Sequence, residues 1–142
     1  MWWMEYVIEE MFLSHFEQTM QLWRISDGVR LKSVDSRKTI ERFLERNSGL
    51  SYVAIDDTKV IGAVLCSHDG RIGYLTHLAV HPEYRRQGIG RSLVGRCFYA
   101  LMSISISQCA LMMMEEDQNA INFLKKIAIA GRIEMMMMKK LE

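Results

Sequence analysis

The chain has 142 residues, a formal net charge of +1, three cysteines and a single proline. That length suits one domain, 1–142, around one core, and the near-zero charge exerts no pull toward nucleic acid or an anionic membrane. No apolar stretch is long enough to span a bilayer, and Met1-Trp2-Trp3-Met4-Glu5 lacks the basic start and long apolar run of a secretion signal. A cytoplasmic protein is expected, with Cys66, Cys97 and Cys109 reduced and buried.

In chain order, residues 4–11 are apolar enough for a first strand. Ser14 and Glu17 stand at capping-box spacing, and a helix is predicted from there toward Arg24, with Phe16, Met20 and Trp23 at helical intervals. Asp27-Gly28 breaks it. Asp35 or Ser36 then caps a second helix whose inner face carries Ile40, Phe43 and Leu44, stopped by Asn47-Ser48-Gly49. Strands are expected over 51–56, 59–67 and 71–80, the last two joined by His68-Asp69-Gly70, a hairpin signal, so the centre is an antiparallel meander. A helix over 88–102 places Ile89, Leu93, Cys97 and Leu101 on one stripe, flanked by Val94 and Phe98. The apolar run 108–114 is a buried strand, running parallel to the one that ends at Val80. A helix beginning near 115–119 turns Ile121, Leu124 and Ile127 inward, and 133–138 is the last strand. The runs Met112-Met113-Met114 and Met135-Met136-Met137-Met138 read as flexible core filler; no Cys or His cluster accompanies them, and no metal is expected. An exposed edge strand near the Met-rich C-terminus leaves a homodimer open.

The most informative run is Leu78-Ala79-Val80-His81-Pro82-Glu83-Tyr84-Arg85-Arg86-Gln87-Gly88-Ile89-Gly90-Arg91. Pro82 ends the strand because it cannot donate to a sheet ladder. The glycine turn that follows opens a helix, and a helix start offers free N–H groups and the positive end of the dipole to a phosphate. Gly88 and Gly90 carry no Cβ, so a diphosphate can approach the main chain, with arginines beside it. Gly-Lys-Ser/Thr is missing, which argues against a triphosphate loop, and Leu93 stands where the dinucleotide fingerprint needs its third glycine.

What remains, Arg/Gln-x-x-Gly-x-Gly after a Leu-x-Val strand and a proline, resembles the acetyl-CoA motif of the GCN5-related N-acetyltransferase (GNAT) family. The predicted order β-α-α-β-β-β-α-β-α-β is similar to that fold from end to end: an α+β domain with a mixed, mostly antiparallel sheet of about six strands flanked by about four helices. The segments Phe43–Ser51, Gly62–Leu65 and His68–Arg71 resemble a bacterial branch of small acetyltransferases.

The resemblance implies an acetyl-CoA-dependent N-acetyltransferase that acts on a primary amine of a small molecule or protein by direct attack. The alternative is an acetyl-CoA-binding regulatory or partner-binding module with weak or no catalysis. Leu78, Ala79 and Val80 would pair with the pantetheine arm, and the amides of Arg86, Gln87, Gly88, Ile89, Gly90 and Arg91 would hold the diphosphate. Arg85, Arg86 and Arg91 are within reach of phosphates, and Ile89 anchors the helix. An amide near Val80 would polarise the thioester carbonyl. His77 is the candidate base, since imidazole titrates near neutrality. Trp23, Asp27 and Tyr74 are candidates for the acceptor side, although Tyr74 and His77 share a face only if the strand bulges. Asn119 is a loose match to the family's CoA-contacting asparagine and Phe123 fits. Leu124 replaces the usual Tyr, and an alkyl chain cannot protonate the departing thiolate.

Overall fold

A computed structural model describes residues 5–26, 28–114, 118–127 and 133–138. The elements run in the expected order: β1 (Val7–Glu10), α1 (Phe16–Arg24), α2 (Arg37–Arg46), β2 (Tyr52–Asp56), β3 (Lys59–His68), β4 (Gly73–Val80), α3 (Ile89–Ser103), β5 (Cys109–Met114), α4 (Gln118–Ile127) and β6 (Ile133–Met138). Short 3-10 turns precede α1, α2 and α3, at Leu13–His15, Ser33–Asp35 and Pro82–Tyr84. The strands form one sheet in sequence order. Pairs β1–β2, β2–β3 and β3–β4 are antiparallel, whereas β4–β5 and β5–β6 are parallel. The α+β class and the mixed, mostly antiparallel sheet are as expected.

Two apolar layers cover the sheet. On one face α3 presents Ile89, Leu93, Val94, Cys97 and Leu101 to Ile61, Val64 and Leu75. On the other, Phe16, Met20 and Trp23 of α1 and Ile40 of α2 pack over Val53, Ala63, Leu65 and Ala79. The second helix begins as its sequence suggests: the Ser36 hydroxyl accepts from the Thr39 amide. The first does not. Ser14 falls inside the preceding 3-10 turn, and the chain turns on the Phe12 amide donating to Nδ1 of His15, so the Ser14–Glu17 box is unused.

A fully buried seam joins the sheet to the start of α3. Gly62 lies opposite Val80, and a Cβ there would stand 3.0 Å from Leu93 Cδ1 and 3.1 Å from Ile89 Cγ2. This absent side chain lets the first turn of α3 settle against β3, which fixes the height of the preceding loop. All three cysteines are buried, on the α3 side of the sheet. Burial, and then the neighbouring Cys66, push the Cys109 thiol up to about 12, and burial raises Cys97 as well.

Candidate functional site

Strand β4 carries the site because it is paired differently along its two edges. Against β3 it is paired as far as Val80, opposite Gly62. Against β5 the pairing covers only Gly73, Tyr74 and Leu75, opposite Cys109, Ala110 and Leu111. β5 itself runs on beside β6 to Met114. From Thr76 to Val80, then, one edge of β4 has no strand beside it among the described residues. The His81 amide donates to the Ile61 carbonyl at 2.8 Å, on the β3 side. By the alternation of an antiparallel ladder, the N–H and C=O of Val80 point the other way, into the open edge. Leu78 and Val80 pack against the α3 layer, while Ala79 belongs to the opposite core.

The open edge leads directly into the glycine turn. Arg86 and Gly88 both take left-handed backbone, at φ 66° and 80°. The helix proper begins when the Ser92 amide donates to the Gly88 carbonyl at 3.0 Å. The amides from Arg86 to Arg91 make no backbone hydrogen bond among the described residues, which leaves them as open donors at a helix start. Arg85, Arg86, Gln87, Gly88 and Arg91 are exposed, and Ile89 is buried as an anchor.

The two glycines do different jobs. At Gly88 a Cβ would meet nothing within 4 Å, so the main chain is open to a ligand. At Gly90 a Cβ would stand 3.1 Å from the Phe123 ring of α4. Both glycines are expected to leave the main chain clear, but only Gly88 does so; Gly90 makes room for Phe123, which ties α4 to the mouth of the loop.

Midway along β4 the strand bulges. Its register against β3 shifts between Ala63 and Leu65, and His77 takes φ 57°, a conformation rare outside glycine. Leu75 packs on the α3 side, but the His77 side chain lies among α1 and the turn before α2. Two contacts hold it. The Trp23 indole donates to the His77 carbonyl at 2.9 Å, satisfying a group that the bulge removes from the ladder, and the two rings meet edge to face with centroids 4.9 Å apart. Nε2 of His77 lies 3.0 Å from Oδ1 of Asp35, whose Oδ2 accepts the Lys32 amide at 2.9 Å. The Asp35 side chain is 7% exposed and that of His77 21%, so the imidazole is part-exposed and the carboxylate buried.

Asp35 is the residue that sequence reasoning missed; it was legible only as a helix cap, and Ser36 takes that place. Trp23, expected on the acceptor side, is 1% exposed, and its indole and ring contact His77. The bulge puts Tyr74 on the same face as His77, but its hydroxyl turns to the β3–β4 hairpin, where it donates to Asp69 at 2.9 Å. Asp27 lies outside the described residues. Asn119 falls in the first turn of α4, with Leu124 five residues further along the same helix.

A sheet whose pairing ends early on one side of β4, with a glycine turn and a helix start at the end of that strand, is the arrangement the sequence reading expected. The acetyltransferase (GNAT) family model matches residues 8–128, and the chain belongs to that family. It is thus an acyltransferase enzyme. An acetyltransferase of Pectobacterium atrosepticum is 30% identical over 112 residues, 79% of each chain. Another, of Photorhabdus laumondii, is 30% identical over 117 residues, 82% of this chain and 81% of that one. Among solved structures, the PaiA N-acetyltransferase of Thermoplasma acidophilum in complex with coenzyme A has the same fold, with a TM-score of 0.78 at 18% identity over 87% of this chain and 89% of that one. Among the described residues no helix is long and apolar enough to cross a membrane, and no group of His, Cys, Asp and Glu is placed to hold a metal ion.

Proposed function

We propose that this enzyme moves the acetyl group of acetyl-CoA to a primary amine, on a small molecule or a protein, with His77 as the base. The observation that carries the reading is the unpaired edge of β4 running into the open amides of the glycine turn. Pantetheine carries amides, and the strand edge offers matching donors and acceptors, as an added strand would. The diphosphate suits the row of amides from Arg86 to Arg91, which is open at Gly88 and flanked by exposed arginines.

Within this arrangement the chain's own groups divide the work. The amides of Leu78 and Val80 orient the donor, and one of them faces the carbonyl oxygen where charge develops. His77 lies on the opposite face of the same strand from Leu78 and Val80, at the bulge beside the open edge. Its imidazole takes the proton as the amine nitrogen bonds to the carbonyl carbon and the carbon–sulfur bond breaks. Position 124 is leucine, which has no proton to give, so the departing thiolate is protonated by water. No covalent intermediate on the protein is needed.

Leu124 is also the one feature that favours a second reading, a CoA-binding regulatory module with little turnover. Release of free thiol from acetyl-CoA against a panel of primary amines separates the two. Turnover on at least one amine, falling sharply in His77→Ala, is the expected result. Tight uptake of acetyl-CoA with no turnover on any amine would leave the module.

A further inference from the structure

The proposal that His77 is the base leaves open what makes it one. A histidine ring has two nitrogens, and in the neutral form only the one without hydrogen can accept a proton. We infer that Asp35 is the positioning residue of the acetyl transfer: its buried carboxylate holds the hydrogen of His77 on Nε2 and presents the Nδ1 lone pair to the acceptor amine. The inference rests on His77 being the base, and three observations on the chain carry it.

First, the geometry allows one direction only. Oδ1 of Asp35 is 3.0 Å from Nε2, and a carboxylate only accepts, so Nε2 must donate. No hydrogen bond to Nδ1 occurs among the described residues, whereas both oxygens of Asp35 are engaged, one by the imidazole and one by the Lys32 amide. Second, the pair is costly unless it has a use. A carboxylate with a side chain only 7% exposed, at the end of a 3-10 turn, is an expensive way to hold a loop, and Ser36 already caps the helix that follows. Third, the imidazole is held from two further directions. The left-handed backbone at residue 77 aims the side chain off the regular alternation of the strand, and Trp23 grips both the ring edge and the carbonyl. Strained backbone held by its surroundings is characteristic of working sites.

The carboxylate would act twice. Before reaction it selects the tautomer. As the amine nitrogen bonds to the carbonyl carbon, the amine proton passes to Nδ1, and the imidazolium so formed faces an anion 3.0 Å away. Asparagine at 35 could still accept the Lys32 amide, but it would present an amide in place of the carboxylate and give up the charge.

The test uses the full chain, acetyl-CoA and whichever panel amine turns over fastest. Asp35→Asn is expected to lower kcat roughly 10–100-fold, part of the 100-fold or more that a positioned base supplies, with KM for acetyl-CoA unchanged. In a His77→Ala background the same substitution should cost nothing further, because Asp35 acts only through the ring. Losses that multiply, or a full kcat in Asp35→Asn beside a low one in His77→Ala, would overturn the role of Asp35 and leave His77 standing. A full kcat in His77→Ala would remove both. Should Asp35→Asn fail to fold, nitrogen-15 spectra of the His77 ring in the unaltered protein decide: hydrogen on Nε2 supports the inference, and hydrogen on Nδ1 of the neutral ring refutes it.

Discussion

Replacing Gly62 by alanine adds one methyl group and should both destabilise the protein and weaken its grip on coenzyme A. The new Cβ would lie 3.0 Å from Leu93 Cδ1, 3.1 Å from Ile89 Cγ2 and 3.3 Å from Ala54 Cβ. Ordinary carbon contacts are about 3.5–4.0 Å, so neighbours must retreat by a few tenths of an ångström. Leu93 and Ile89 have no spare room, at 0% and 1% exposure, and Ala54 belongs to the adjacent strand. Overpacking of this kind costs about 1–3 kcal/mol, and the backbone entropy gained on leaving glycine returns about 0.5–1 kcal/mol. The net is a loss of roughly 1–2 kcal/mol, or a fall in Tm of about 3–8 °C for a chain of this size. The retreating groups sit on the first turn of α3, so the open amides move with them, and coenzyme A affinity should fall several-fold. Gly95→Ala is the control. It makes the same chemical change inside α3, where a Cβ meets nothing within 4 Å, and should stabilise by about 1 kcal/mol with affinity unchanged. Thermal melts and calorimetric titration with coenzyme A read both variants. A rise in Tm for Gly62→Ala equal to that for Gly95→Ala would refute the reasoning.

Thr19 buries a hydroxyl that has no hydrogen-bond partner among the described residues, so Thr19→Val should raise stability by on the order of 1 kcal/mol; an unchanged or lower Tm would mean the hydroxyl is satisfied. Burial raises the Cys97 thiol and pushes Cys109 up to about 12, and Cys66 is buried beside them, so neutral-pH alkylation should modify none of the three in the folded protein and all three in urea. Fast labelling of Cys97 or Cys109 before unfolding would contradict the packing. The Asp69 carboxyl is held down to about 2, from an ordinary 3.8, by the Ile72 amide first, then the Arg71 amide and the Tyr74 hydroxyl. A depressed carboxyl stabilises the folded hairpin above the ordinary value and loses that effect as pH falls through the lower one. The Arg71 and Ile72 amide resonances should therefore titrate with a midpoint near 2, and one near 3.8 would show that the turn does not hold the carboxylate.

Much of the fold was legible because it depends on local pattern. Alternation, helical stripes and the Asp69-Gly70 hairpin place every strand and helix within a few residues, and the glycine turn announces itself by composition. The parts that were hidden depend on distant partners. Gly90 and Phe123 meet across 33 positions, and no local rule says that a ring will occupy the space one glycine leaves. Asp35 and His77 are 42 residues apart, and Asp35 next to Ser36 reads as a cap. The left-handed backbone at His77 had no signal, because glycine ordinarily marks such a position and here a β-bulge imposes it on histidine. Trp23 read as an acceptor contact, but it is buried and packs against His77.

The central claim is that the open edge of β4 and the amides of the glycine turn together receive coenzyme A. Titration with coenzyme A, followed through backbone amide resonances, tests it most directly. The largest shifts should fall on Gln87 to Arg91 and on Leu78 to Val80, and Gly88→Glu, which sets a carboxylate into the anion site, should abolish them. Shifts centred elsewhere, or full uptake of coenzyme A by Gly88→Glu, would contradict the account.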